Sequence, residues 1–329
     1  MVTLLDAGTV DRYLDTELAL DTMRRCFRLE HEGRAGPAER IDLPHPAGWM
    51  RVLPAVFEGL GVFGHKVISF HGTHGVRYVV TLFDIESGDL RAVVDAEAIT
   101  GARTGATAAL AADVLCRRDI GVGAIIGTGS VARTQLPALQ AVRPVGEIRV
   151  YSRNPLNREE FVAEMQPGTD ARLIPVDAPE AAYDGADLVT LATKSPTPVF
   201  ARPHLERGMH VNSVGSARPN LSEVAPDAFD AFDVVVCDSV ELVFAESGDA
   251  ISAAGSGLFD RAGARDLAEV VANPELRGEA DTTLFKSTGT GLQDLSLALA
   301  VLERAVEDGA GTVVDDVLAL KAFGPTGRT

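Results

Sequence analysis

Cysteine, aromatic residues and positive charge are scarce in this chain, and the shortages exclude whole classes of protein. Three cysteines in 329 residues, Cys26, Cys116 and Cys237, are odd in number and scattered, with no Cys-x-x-Cys pair. That excludes a disulfide framework and points to reduced thiols in a cytoplasmic protein. Thirty Lys and Arg stand against 47 Asp and Glu, a formal charge of −17. Phosphate-rich partners are repelled by such a chain, so neither nucleic acid nor an anionic membrane is expected. An anionic ligand must instead be caught by a few local basic side chains. No apolar run approaches the roughly 18 residues of a membrane span. The first residues, with Asp6 and Asp11 soon after Met1, lack the basic start and apolar core of a secretory leader. His71-Gly-Thr-His74 has metal-like spacing but no third ligand nearby, so no metal is expected. Ser130 and Ser256 lie near glycines without a Gly-x-Ser-x-Gly elbow, which argues against nucleophilic hydrolysis.

Apolar residues make up 46% of the chain and charged residues 23%, the balance of a folded globular protein. The length is large for one core and suits two domains. From about residue 120 strand and helix patterns alternate. Continuous apolar runs at 122–126, 148–151, 188–192, 210–214 and 234–237 read as strands buried on both faces of a parallel sheet. Earlier, 51–56, 64–69, 78–85 and 90–94 read as an antiparallel sheet, with Glu86-Ser-Gly-Asp89 as a hairpin turn and 16–30 as a helix. The Ala/Leu-rich stretch 106–118 reads as a linking helix, and 293–307 as a last helix before 313–323 returns to the first domain. The expected fold class is α/β: a Rossmann dinucleotide-binding domain over 119–309, and an antiparallel α+β domain over 1–118 completed by 310–329.

The Rossmann assignment rests on Val122-Gly-Ala-Ile-Ile-Gly127-Thr-Gly129-Ser130-Val131-Ala132, where a buried strand stops at a glycine turn and helical spacing begins. In this pattern a helix N-terminus presents free N–H groups to a phosphate. Gly127 makes the tight turn, Gly129 lets backbone approach a pyrophosphate, and small Ala132 lets helix pack on strand. The next strand, Glu147-Ile-Arg-Val-Tyr151, ends in Ser152-Arg153-Asn154, with no carboxylate for a ribose 2′-hydroxyl. Arg153 either pairs with a 2′-phosphate, helped by Ser152 and Asn154, or is a solvated loop residue. The first reading prefers NADP(H), with NAD(H) as the alternative.

Motifs spread over nearly the whole chain, in order, resemble the ornithine cyclodeaminase/mu-crystallin family. They are Arg40, Met50-Arg-Val-Leu-Pro-Ala55, Gly64-His-Lys66-Val-Ile-Ser69, Val80-Thr81-Leu-Phe-Asp84 and Ile99-Thr-Gly-Ala-Arg103-Thr104-Gly105. The glycine turn follows, then His210-Val-Asn-Ser-Val214-Gly215-Ser216, Asp238-Ser239, Glu246-Ser-Gly-Asp249 and Phe285-Lys286-Ser287-Thr-Gly289. The resemblance implies a homodimer formed through the α+β domain. It also implies nicotinamide-dependent interconversion of amino acids with imino or keto acids.

Carried onto this chain, the resemblance makes Arg40 and Arg103 the clamp for a substrate carboxylate, unless either serves as a structural ion pair. Lys66, inside an apolar strand, is either the group that protonates an imine nitrogen or a salt-bridged lysine. Thr81 is implied to touch substrate, and Thr104 a cofactor phosphate or the nicotinamide. Further cofactor contacts are expected at strand ends: Ala192, Thr193, Val214, Gly215, Ser216, Lys286 and Ser287. One departure matters. Cyclodeaminases of the family carry an aspartate where this chain has Ala217, and alanine can hold no distal ammonium. The implied activity is therefore reduction of a small 2-imino acid, such as 1-pyrroline-2-carboxylate, 1-piperideine-2-carboxylate or the imine of a 2-oxo acid. An ornithine or lysine cyclodeaminase with catalytic NAD, and a non-enzymatic crystallin-like binder of NADP or a small ligand, are the alternatives.

Overall fold

The computed structural model describes residues 1–37, 39–117, 120–315 and 318. Two sheets organise the chain. The first contains β1 (Val2–Leu5), β2 (Ile41–His45), β3 (Gly48–Phe57), β4 (Val62–His71), β5 (Gly75–Asp84) and β6 (Leu90–Asp95). The second is built from β7 (Val122–Ile126), β8 (Glu147–Tyr151), β9 (Arg172–Pro175), β10 (Leu188–Leu191), β11 (His210–Ser213), β12 (Val234–Cys237), β13 (Ala264–Asp266) and β14 (Thr283–Lys286). β15 (Thr312–Val314) then returns to the first sheet and pairs antiparallel with β1.

The second sheet is parallel throughout, in the order β13-β12-β14-β11-β10-β7-β8-β9. Its central strands carry nearly continuous buried runs, as a sheet covered on both faces requires. The order reverses between β7 and β10, the crevice where open α/β sheets bind ligands. The protein is thus α/β with a Rossmann-type domain.

The first sheet runs β15-β1-β6-β5-β4-β3-β2, antiparallel except for β1 with β6. Asp84 holds the β5–β6 turn by accepting from the Glu86 and Ser87 N–H groups, both at 3.0 Å. Leu53, Lys66, Val80 and Leu82 alternate onto the buried face. That face is covered by the helix Gly291–Glu307, which packs on β3, β4 and β5. Residues 291–307 therefore pack into the first sheet's core. Twelve of its residues, Gly291 and Leu302 among them, are buried, and burial on nearly all sides fits a helix held within a core. Of the stretch expected to return, 313–315 and 318 are described; the rest lies outside the described residues.

The connecting helix is Glu97–Leu115, nine residues longer at its start than expected. Gly101 and Gly105 weaken local helix propensity, but each packs against Thr134 of the helix Ser130–Val142 with no room for a Cβ. Tertiary packing thereby overrides propensity. As a result Arg103 and Thr104 stand on a helix rather than in a linker. Arg117 lies beyond that helix, and Arg118 falls outside the described residues.

Candidate active site

A cleft of about 540 Å³ opens at the C-terminal ends of β7, β8, β10 and β11. One end of it is the glycine turn. Gly127 has φ +106°, a conformation other residues rarely adopt, and any Cβ there would overlap the Ala192 carbonyl. Its N–H donates to the Tyr151 carbonyl at 2.8 Å, tying the β7 turn to the end of β8. Gly129, Ser130 and Val131 follow on the cleft wall, at the start of the helix Ser130–Val142. No acidic residue stands in that helix's first turn, so its N-terminal field is free for an anion.

Just beyond that end of β8, Ser152 and Arg153 line the cleft. Arg153 is exposed. Asn154 is not a lining residue. Its side chain caps the helix Pro155–Met165 by accepting from the Leu156 N–H at 3.0 Å, and Asn157 occupies the wall instead. A helix start with no side chain at its glycines, and a strand end with an arginine and no carboxylate, fit a dinucleotide.

Ala192, Thr193, Val214, Gly215 and Ser287 all line the opposite wall, while Thr100, Thr104 and Arg103 close it from the connecting helix. Thr104 donates its hydroxyl back to the Thr100 carbonyl at 2.7 Å. Thr128, Lys194, Ser195 and Thr288 line the cleft too and were not expected from sequence. The Thr288 hydroxyl is buried without a hydrogen-bond partner.

Two expected contacts lie behind that wall. Lys286 and Ser216 are completely buried. Lys286 donates to Ser213 at 2.9 Å and Ser216 at 2.6 Å, and pairs with Asp249 at 2.8 Å. A buried ammonium needs such compensation, and the network holds it away from the cleft. Its neighbour Glu223 is a hub that sequence reading missed. One oxygen accepts from the Thr193 N–H and hydroxyl, at 2.5 and 2.9 Å; the other accepts from Ser213 and the Gly215 N–H, both at 2.8 Å. Lys286 and Ser216 therefore help set the backbone that faces the cleft without facing it.

The chemistry-bearing cluster lies beside the cleft, where the first sheet meets the connecting helix. Lys66 on β4 is fully buried and donates to Asp294 Oδ1 at 2.8 Å. Arg103 Nε donates to the same oxygen at 3.1 Å, and its Nη1 to Gln293 at 3.2 Å. Two cations thus share one carboxylate, whose Oδ2 is buried and has no partner. Burial drives the Lys66 pKa down to about 8; Asp294 opposes this, while Arg103 and Arg40 add to it. Burial alone would raise Asp294, but Arg103 and Lys66 outweigh it and hold the carboxyl below its usual value. Tyr78 packs over the lysine, with Nζ 5.4 Å from its ring centroid.

Arg40 is drawn to the same region and largely consumed there. It pairs with Glu246 and donates to the Thr288 and Gly289 carbonyls, leaving only its buried Nε free. Gly289, at φ +80°, leaves the space that the Arg103 guanidinium fills. The two expected arginines therefore flank one turn, with Arg40 bracing it and Arg103 reaching the cleft.

Thr81 does not join them. In β5 it alternates onto the sheet face opposite Lys66, where its hydroxyl lies 3.0 Å from His65 Nδ1. The period-2 alternation of a strand puts the motif neighbours Val80 and Thr81 on different faces.

Asp294 and Gln293 were missed as well, although a Gln-Asp pair inside an apolar helix was a readable signal. Among the described residues no three His, Cys, Asp or Glu side chains gather as a metal site. No described helix is long and apolar enough to cross a membrane.

The model of the ornithine cyclodeaminase/mu-crystallin family matches residues 2–309. An uncharacterized cyclodeaminase of Sinorhizobium fredii is 31% identical, over 92% of this chain and 94% of its own. A Delta(1)-pyrroline-2-carboxylate reductase of Bacillus cereus is 30% identical, over 80% of this chain and 84% of its own. The structure of the Thermococcus litoralis Delta(1)-pyrroline-2-carboxylate reductase in complex with NADH and L-proline superposes with a TM-score of 0.88. It is 29% identical, covering 95% of this chain and all of the other.

Proposed function

The chain belongs to the ornithine cyclodeaminase/mu-crystallin family, and on that premise we propose that it reduces a small 2-imino acid to the amino acid. The observation that carries this reading is the Lys66–Asp294–Arg103 cluster beside the dinucleotide cleft. A bound nicotinamide supplies the hydride that adds to the imine carbon. The remaining work falls to this chain's residues.

Arg103, at the cleft wall, offers its guanidinium to the α-carboxylate and fixes the imine for attack. Two cations on one carboxylate leave a positive excess that an incoming carboxylate neutralises. Asp294 Oδ2 is the acceptor left open for an N–H of the substrate nitrogen. Lys66 holds the proton that nitrogen needs, and its lowered pKa lets it give that proton up near neutrality. Gly127, Gly129, Ser130 and Val131 would hold the pyrophosphate, and Ser152 with Arg153 a ribose phosphate, which favours NADP(H). Ala217, on the cleft wall, supplies no charge for a distal ammonium, which disfavours cyclodeamination.

The outer face of the first sheet supports a homodimer. Ile41, Leu43 and Val56 are exposed there beside the stacked Phe63–Phe83 pair, an apolar surface that a second copy would cover. A cytoplasmic location belongs with the same reading.

The test follows NADPH absorbance and ammonia together, with cyclic imines and with ornithine. Net NADPH oxidation by 1-pyrroline-2-carboxylate or 1-piperideine-2-carboxylate is expected. Ammonia release from ornithine without net change in cofactor would replace the reductase reading with a cyclodeaminase.

A further inference from the structure

The cations around the cleft do not balance their carboxylates evenly. Arg40 is paired with Glu246, and Arg51 with Asp42 through both carboxylate oxygens. Lys66 and Arg103 share Asp294, which leaves one positive charge for the α-carboxylate. Asp238, a buried acid on the same side, is occupied by the Ser287 hydroxyl and the Thr288 and Gly289 N–H groups. Arg153 and Lys194 on the cleft wall also make no ion pair among the described residues, but where the first sheet meets the cleft one cation is left over. Arg218 makes no ion pair and no side-chain hydrogen bond among the described residues.

Its position is defined nonetheless. The Arg218 guanidinium lies 4.1 Å from the Trp49 ring centroid, and Trp49 stacks on Phe70 at 5.5 Å. Stacking on an indole fixes the plane of the guanidinium and leaves its N–H edge pointing elsewhere. Ala217, the preceding residue, lines the dinucleotide cleft, so the chain passes from the cofactor wall to Arg218 in one step. Arg218 is half-buried, and Arg51, Asp42 and Tyr78 all lie close enough to influence its charge.

The register of the first sheet gives the span. On the buried face, Leu53 and Val80 stand beside Lys66, Arg51 and Tyr78 beside Ile68, and Trp49 and Val76 beside Phe70. Each row is two residues from the next, roughly 7 Å along the strand. The Lys66 row holds the α-carboxylate end, and the Trp49 row holds Arg218. Tyr78, in the middle row, lies within electrostatic reach of both Arg103 and Arg218, so the two guanidiniums approach that row from either side.

We infer that the preferred substrate is a 2-imino acid with a second carboxylate at the far end of its side chain, and that Arg218, stacked on Trp49, recognises that carboxylate. This rests on the reductase reading. It narrows the class from small monocarboxylates to dianions, whose second charge Arg218 meets. The reaction is otherwise the same: hydride adds to the imine carbon, a proton to nitrogen, and NADPH leaves oxidised.

The test uses two matched pairs with NADPH: 2-oxohexanoate against 2-oxoadipate, each with ammonia, and 1-piperideine-2-carboxylate against 1-piperideine-2,6-dicarboxylate. The dicarboxylate should exceed its partner by about tenfold or more in kcat/KM, the worth of one partly desolvated charge-assisted pair. Arg218→Met should collapse that ratio towards one, and Arg218→Lys should restore part of it. A ratio at or below one in the wild type, or a ratio unchanged by Arg218→Met, overturns the inference and leaves the reductase reading standing. Absence of NADPH oxidation with all four substrates overturns the reductase reading and this inference together.

Discussion

Asp294 decides the charge state of the proposed site, because it is the one carboxylate that Lys66 and Arg103 share. Asp294→Asn removes their common counter-charge inside the core, a change that costs about 3–5 kcal/mol when a buried pair is broken. Lys66 relieves part of that cost by losing its proton, since Asp294 is what holds its pKa up against burial. The sign follows directly. In the wild type Lys66 is protonated below about pH 8, so imine reduction should hold there and fall as pH rises through that value. In Asp294→Asn the falling limb should move to lower pH, with a lower Tm. A kcat/KM profile whose alkaline limb stays in place would separate Lys66 from proton transfer. Lys66 and Arg103 were legible as motif residues, but their partner lies 228 and 191 positions away, a pairing no local pattern carries. Arg40 shows the same limit. Its type and position were legible, while its commitment to Glu246 depends on how two distant loops meet.

At the scale of elements, the proposed preference between nicotinamide cofactors rests on the end of β8. The strand stops at Tyr151 without a carboxylate, and Arg153 is exposed on the cleft wall with nothing local to neutralise it. Arg153→Ala should lower the preference for NADPH over NADH by about tenfold, the worth of a hydrogen bond to a charged group. A ratio of kcat/KM values unaffected by the change would assign the 2′-phosphate elsewhere. Neighbouring Arg158 is a poor substitute, since it is buried and held by Asp177 and the Ser152 carbonyl. Elements with strong, continuous patterns were legible, including β7, β12 and the helix Thr16–His31. Those set by tertiary contact were not. β2 has every residue exposed and contains Pro44, so only its pairing with β3 makes it a strand. The helix Glu97–Leu115 starts early because glycines that weaken it in isolation let it pack against Thr134.

For the whole molecule, the sheet order explains how distant motifs build one site. Parallel strands deliver the glycine turn, Thr193 and Gly215 to one edge, and Glu223 locks the last two together beneath it. The first sheet brings Lys66, and the helix Gly291–Glu307 brings Asp294 across to meet it. Two sheets were legible because strand periodicity changes between them; the crossing of that last helix was not, because a helix buried on nearly all sides leaves little face to assign. The uncovered apolar face gives a prediction of its own. Light scattering should report twice the mass of one chain, and Val56→Glu, placed among the exposed apolar residues, should halve it. A monomeric wild type would leave that face unexplained. The proposed function rests on hydride delivery to the imine carbon beside Lys66 and Arg103. Its most direct test is turnover of 1-piperideine-2-carboxylate with NADPH deuterated at the transferable C4 position, followed by NMR of the amino acid formed. One deuterium per molecule at the α-carbon is expected. Product without deuterium there, or no product at all, would contradict the account.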